Sequence, residues 1–296
     1  LSNVVLKKNS IELEQIKKYY ENYLLEKVPH GGLFSAKTEN CTITAYKSGK
    51  ILFQGNGAET EARKWGELEQ PVSELSSMSV LGSDEVGTGD YFGPVTVAAA
   101  YVKKEDIPLL KDLGVKDSKH LTDEKIIVIA KQLINIVPHS LLTLHNEKYN
   151  QLQQSGMTQV KMKALLHNQA IGHVLNKIAP EKPEAVLIDQ FVKEEIYFEH
   201  IKNEPAIQKD RVYFSTKAEG IHVSVAAASI IARYAFIRHF EKLSEAAGFT
   251  LPKGAGQQVD EAAAKLIKEK GRESLPKFVK LHFANTEKAI QLSKKI

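Results

Sequence analysis

The chain has 296 residues, enough for one large domain or two of unequal size. Its 43% hydrophobic and 26% charged content is that of a soluble globular protein with ample material for a core, and no stretch approaches the roughly 18 consecutive apolar residues of a transmembrane helix. The net charge of +4 favours a polyanionic partner only weakly, and one cysteine, Cys41, excludes an internal disulfide.

In chain order, Ile11, Leu13, Ile16, Tyr19, Tyr20 and Leu24 recur at three- and four-residue intervals, which predicts an amphipathic helix over 10–25 capped by Ser10. The charged residues among them break any signal-peptide-like apolar core, and with the lone cysteine this places the protein in the cytoplasm. Short strands are expected at 33–36, 41–46 and 51–54, the last two joined by a hairpin turn at 47–50. A helix over 58–68 completes a small α+β domain, assigned to 1–70. The polar stretch that follows has one proline and no pattern, so 71–77 reads as a linker to a second domain over 78–296.

That domain opens on MSVLGSDEVGTGDYFGPVTVAAAYV, two apolar strands separated by adjacent carboxylates and a glycine-rich turn. Asp84 and Glu85 cannot be buried cheaply without a cation, a hydrogen-bond cage or an open cleft. A helix is expected from about Thr122, a strand at 141–144 and a long helix over 158–178. A buried strand over 183–192 is interrupted by Asp189, and a strand at 212–215 is followed shortly by Glu219. Residues 224–243, apolar around most of the circumference, predict a central buried helix. Two charged helices, over 257–270 and 281–295, end the chain.

Three strands thus end in, or are interrupted by, acidic residues, and side-by-side strand ends in an α/β sheet present such residues to one crevice. Four crowded carboxylates repel one another unless divalent cations neutralise them, and an all-oxygen set suits magnesium or manganese rather than zinc. Two ions about 4 Å apart would serve in-line displacement at a phosphodiester. Acidic residues at strand ends also act as helix caps and in salt bridges, so the residues alone leave both readings open. Strand neighbours face opposite ways, so Asp84 and Glu85 share a site only if their strand ends or bulges there.

The strings SDEVGTGDYFGP, GVKDSKHLT, LIDQF and TKAEGIHVSVAAASIIARYAFI, in this order, resemble the type 2 ribonuclease H family, and more closely its ribonuclease HIII branch. The resemblance implies a ribonuclease H-like α/β mixed sheet with flanking helices, and over 1–70 a domain similar to the TATA-binding protein fold. It implies an endonuclease that cuts the RNA strand of an RNA/DNA hybrid by a two-metal-ion mechanism, leaving 5′-phosphate and 3′-hydroxyl ends. Carried over by motif, the catalytic and metal-binding quartet is Asp84, Glu85, Asp189 and Glu219, with two Mg2+ ions, Mn2+ as a substitute, and Asp84 bridging both. Two departures from ribonuclease HII bear on substrate: glutamate at 219 where that branch has aspartate, and Gly87-Thr88-Gly89 where it has Gly-Arg-Gly. The second favours substrates with several consecutive ribonucleotides over single embedded ones.

Only the 2′-hydroxyl distinguishes RNA locally, and a glycine turn lets main-chain groups approach it, so Gly87, Thr88 and Gly89 are candidate substrate contacts. Lys119, Lys217 and Lys253 are candidate phosphate contacts, and Tyr46, Lys47, Ser48 and Lys50 combine ring, hydroxyl and charge at a hairpin that could grip the duplex. His167 and His173, six residues apart on one helix, read as ordinary helix residues, and the role of His282 is left open. The partner is a hybrid duplex and no membrane, with the protein acting as a monomer. The rivals are a ribonuclease HII-like enzyme for isolated ribonucleotides and a non-catalytic hybrid binder on the same scaffold.

Overall fold

A computed structural model describes residues 3–66, 72–116 and 118–295. The chain divides into two units, Leu1–Val72 and Ser73–Ile296.

In the first unit, strands β1 (Asn3–Lys7), β2 (Gly32–Lys37), β3 (Thr42–Tyr46) and β4 (Lys50–Gln54) form an antiparallel sheet in the order β1-β4-β3-β2. The sequence does not predict β1, because its apolar residues are too few to show a pattern. Leu13 and Ile16 of the Ser10–Tyr19 helix pack with Ile43, Ala45, Ile51 and Phe53 of the sheet. The helix is shorter than its periodicity suggests and is capped by Asn9, not Ser10. Asn9 Oδ1 accepts from the Glu12 amide at 2.9 Å and Glu12 Oε2 from the Asn9 amide at 2.9 Å, a reciprocal pair that satisfies two otherwise orphaned donors. The helix expected over 58–68 spans Ala58–Arg63, and residues 67 and 68 lie outside the described residues.

Part of the expected linker is structured. Val72–Leu75 is a helical turn whose Leu75 is 3% exposed and packs with Val80, Ala185, Leu187, Ala218 and Val225. The rest of the second unit is built on strands β5 (Val80–Val86), β6 (Val95–Val102), β7 (His139–Leu144), β8 (Ala185–Asp189) and β9 (Val212–Ser215), in the order β7-β6-β5-β8-β9. β5, β6 and β7 are antiparallel neighbours, and β8 and β9 run parallel to β5.

Every residue of β6 is buried, because the sheet is covered on both faces, and its residues divide with a period of two. Ala98, Ala100 and Val102 pack with residues of the Asp123–Ile136 and Val223–Ala247 helices, whereas Val95, Val97, Ala99 and Tyr101 pack with residues of the Gln159–Ile178 helix. The Val223–Ala247 helix is the central one the alanine-rich sequence predicts, and it lies directly on β5. A Cβ at Gly82 would collide with the Ser224 and Val225 backbone. No described helix is long and apolar enough to cross a membrane.

Candidate active site

The β5–β6 ladder runs in one unbroken register from Val80↔Val102 to Val86↔Thr96, so no bulge brings Asp84 and Glu85 to the same face. Pairing with β8 stops at Ser83↔Ile188. Beyond that point one edge of β5 is open, and the two carboxylates flank the opening from opposite faces. Asp84, opposite Ala98, lies on the side of the Val223–Ala247 helix, and its Oδ1 accepts the Glu85 amide at 2.7 Å. Glu85, opposite Val97, lies on the side of the Gln159–Ile178 helix. The strand end required for a shared site is therefore present on one edge only.

Asp189 ends β8, and its Oδ1 accepts the Ala218 amide at 2.9 Å. Glu219 lies in the turn Ala218–Gly220 that follows β9, entered through Lys217 in the left-handed conformation at φ +60°. Its Oε2 accepts the Ser118 amide at 2.9 Å and its Oε1 lies 3.3 Å from Lys119 Nζ. Ser118 is fixed in turn by Ser229 Oγ at 2.9 Å and by Arg233, which donates to its carbonyl.

The four carboxylates interact. Burial, then Glu85, and further Asp189 and Glu219 push Asp84 well above the usual aspartate range, against the hydrogen bond from Ser229. Burial likewise raises Asp189, with Glu85 and Glu219 adding to it and the Ala218 amide and Lys119 opposing. Burial also opposes the charge of Glu85, but His167 and Lys163 outweigh it and hold that carboxyl below its ordinary value. Among the described residues no three His, Cys, Asp or Glu side chains form a set that could hold a metal in their present directions. Glu85 is drawn toward Lys163 and His167, and Glu219 toward Lys119 and Ser118. The donor set nonetheless fits a hard divalent cation. It offers only carboxylate oxygens, and Asp84, 5% exposed, is a buried acid whose ionised form is opposed by three further acids.

Of the candidate substrate residues, Gly87 is buried at φ +94°, where a Cβ would meet the Pro94 carbonyl and the Phe236 ring. The Thr88 carbonyl accepts Gln159 Nε2 at 3.1 Å, and Gly89 is exposed with open space around its Cα. Lys280, fully buried, donates from Nζ to the carbonyls of Asp90 at 2.7 Å and Gly93 at 2.6 Å, which pins the far end of the same turn. Burial lowers its pKa to about 7. His282, two residues on, stacks on Tyr149. Lys217 is exposed, whereas Lys253 is paired with Asp123, which Arg233 also holds at 2.8 Å. In the N-terminal unit, Lys47, Ser48 and Lys50 are exposed and Tyr46 is half-buried.

His167 is not an ordinary helix residue. It is completely buried, with Nε2 3.0 Å from Glu85 Oε2 and Nδ1 2.7 Å from Ser83 Oγ. Sequence reasoning misses Lys163, one turn earlier, as well as Gln159 and Lys280. The residues 159, 163 and 167 share one helix face at four-residue spacing, which was the available signal.

A family model described as ribonuclease HII matches residues 81–286, and one described as a domain of unknown function matches 3–77. The chain is 54% identical over 309 residues to a ribonuclease HIII of Bacillus thuringiensis subsp. konkukian, with 99% of each chain covered. The chain belongs to the ribonuclease HIII family. It is a nuclease of the ribonuclease H class, divalent-metal dependent and acting on RNA/DNA hybrids. Among solved structures it is similar over 100% of both chains to Bst-RNase HIII in complex with Mn2+, at 49% identity and a TM-score of 0.74. It is also similar to the ribonuclease H2 of Pyrococcus horikoshii OT3 at 26% identity and a TM-score of 0.59, over 74% of this chain and 100% of that one. The mixed α/β fold and the separate N-terminal sheet agree with the expectation from the motifs.

Proposed function

We propose that the enzyme cuts the RNA strand of hybrids with several consecutive ribonucleotides, leaving 5′-phosphate and 3′-hydroxyl ends. Asp84, Glu85, Asp189 and Glu219 hold two Mg2+ ions, for which Mn2+ substitutes. The observation that carries this reading is that β5, β8 and the turn after β9 bring four carboxylates to one open strand edge. Two divalent ions held by these four carboxylates would activate the attacking water and stabilise charge on the leaving oxygen. Ser118 and Ala218 fix Glu219 and Asp189 through main-chain amides, so the direction of these ligands is set by backbone rather than by mobile side chains. The open main chain at Gly89 approaches the ribose, and Lys217 and Lys119 contact phosphates. The N-terminal unit, 1–70 by the sequence, grips the duplex through Tyr46, Lys47, Ser48 and Lys50. The protein works as a monomer in the cytoplasm, a setting that suits the reduced, buried Cys41.

Asp84→Asn should abolish cleavage, leave hybrid binding intact and raise the melting temperature in EDTA, because it removes one of four repelling charges. Near-normal turnover of the variant in Mg2+ would overturn the assignment. Two labelled duplexes, one a full hybrid and one DNA with a single ribonucleotide, test the substrate, and faster cutting of the second would refute the proposed preference.

A further inference from the structure

The Gln159–Ile178 helix carries two cationic or proton-donating groups that the cleavage reaction does not use, and both end on Glu85. Lys163, 8% exposed, places Nζ 2.9 Å from Glu85 Oε1 and 4.2 Å above the centre of the Phe191 ring. His167, one turn on, contacts the other oxygen, and its ring stacks on Phe191 at 5.0 Å and 26°. Ser83 has one hydroxyl proton, with the Ala98 carbonyl at 2.9 Å and His167 Nδ1 at 2.7 Å both in reach. Phe191 lies two residues past Asp189, so these groups sit beside the metal-ligand set and not at the protein surface.

We propose that Lys163 is a positioning residue that sets metal affinity at the Glu85 side of the site, an inference that rests on Glu85 being a ligand. Its ammonium is held in place by the helix, the aromatic face and the carboxylate together. It neutralises Glu85 when no metal is bound, and any divalent ion that takes this carboxylate has to share it with a fixed positive charge. Removing that charge therefore favours the metal. The cation–cation repulsion acts in a poorly hydrated site, where charges are screened less than in water and a repulsion of about 1.4 kcal/mol is a factor of about ten in affinity. His167 supports the second oxygen without blocking the crevice, since its ring is wholly enclosed by protein.

The test is calorimetric titration of the full chain with Mn2+, with thermal melts in EDTA to verify folding. Lys163→Met and the polar Lys163→Gln should each bind Mn2+ about tenfold more tightly than the unmodified chain, and Lys163→Arg should match it. Unchanged or weaker binding in both neutral variants overturns the inference. Glu85→Gln separates this outcome from a failure of the site itself: it should weaken Mn2+ binding, and unaltered affinity there would remove the ligand role on which the inference rests.

Discussion

His222 gives the most direct quantitative test of how the site is supported. It is 2% exposed and precedes the central helix, three residues after Glu219. Its Nε2 donates to the Met78 carbonyl at 3.1 Å, while Nδ1 accepts the Ser224 amide at 3.0 Å and lies 2.7 Å from Ser224 Oγ. A proton on Nδ1 would face an N–H that already points at it. Burial, against the hydrogen bond to Met78 and with a small contribution from Lys111, accordingly lowers the pKa from 6.5 to about 4. Between these values the unfolded chain binds the proton and the folded chain does not, so stability falls as pH drops through this window. At about 1.36 kcal/mol per pH unit the loss is about 2 kcal/mol by pH 5 and about 3 kcal/mol by pH 4. Urea unfolding in EDTA between pH 7.5 and pH 5 should show it. His222→Gln keeps a donor and an acceptor without the titration, so its stability should fall by about 2 kcal/mol less over the same range. Equal slopes in the two proteins would refute the reasoning.

Lys217→Gly should stabilise the fold by about 1 kcal/mol, since glycine takes the left-handed conformation without strain. The same change should lower the salt dependence of hybrid binding by about one phosphate contact, and an unchanged slope would remove Lys217 from the interface. Replacing Lys47 and Lys50 together by alanine should weaken hybrid binding in a salt-dependent way while turnover at saturating substrate stays the same; equal affinity would count against the hairpin. Gly87→Ala should lower the melting temperature, because its Cβ meets the Pro94 carbonyl and Phe236. Gly89→Ala should melt normally but cut hybrids more slowly, and normal cutting would exclude close approach of the ribose at that point.

The sequence by itself determined the strands that carry the acidic residues, because buried strands in a doubly covered sheet are unbroken apolar runs and a carboxylate interrupting one is conspicuous. It also determined the central helix, apolar around most of its circumference, and through its motifs the family. Cap and boundary details were less legible: Asn9 displaces Ser10 because only the residue before it completes the reciprocal bond with Glu12. What only the tertiary structure decided is the environment of each carboxylate. The unbroken β5–β6 register puts Asp84 and Glu85 on opposite faces, and that ladder is a long-range pairing. Lys163 and His167 show only helical spacing in the sequence. They become partners of Glu85 because their helix packs on the face of the sheet that holds Val97, some 70 residues earlier in the chain. A side chain's periodicity fixes which neighbours share its face, but the group opposite is fixed by packing.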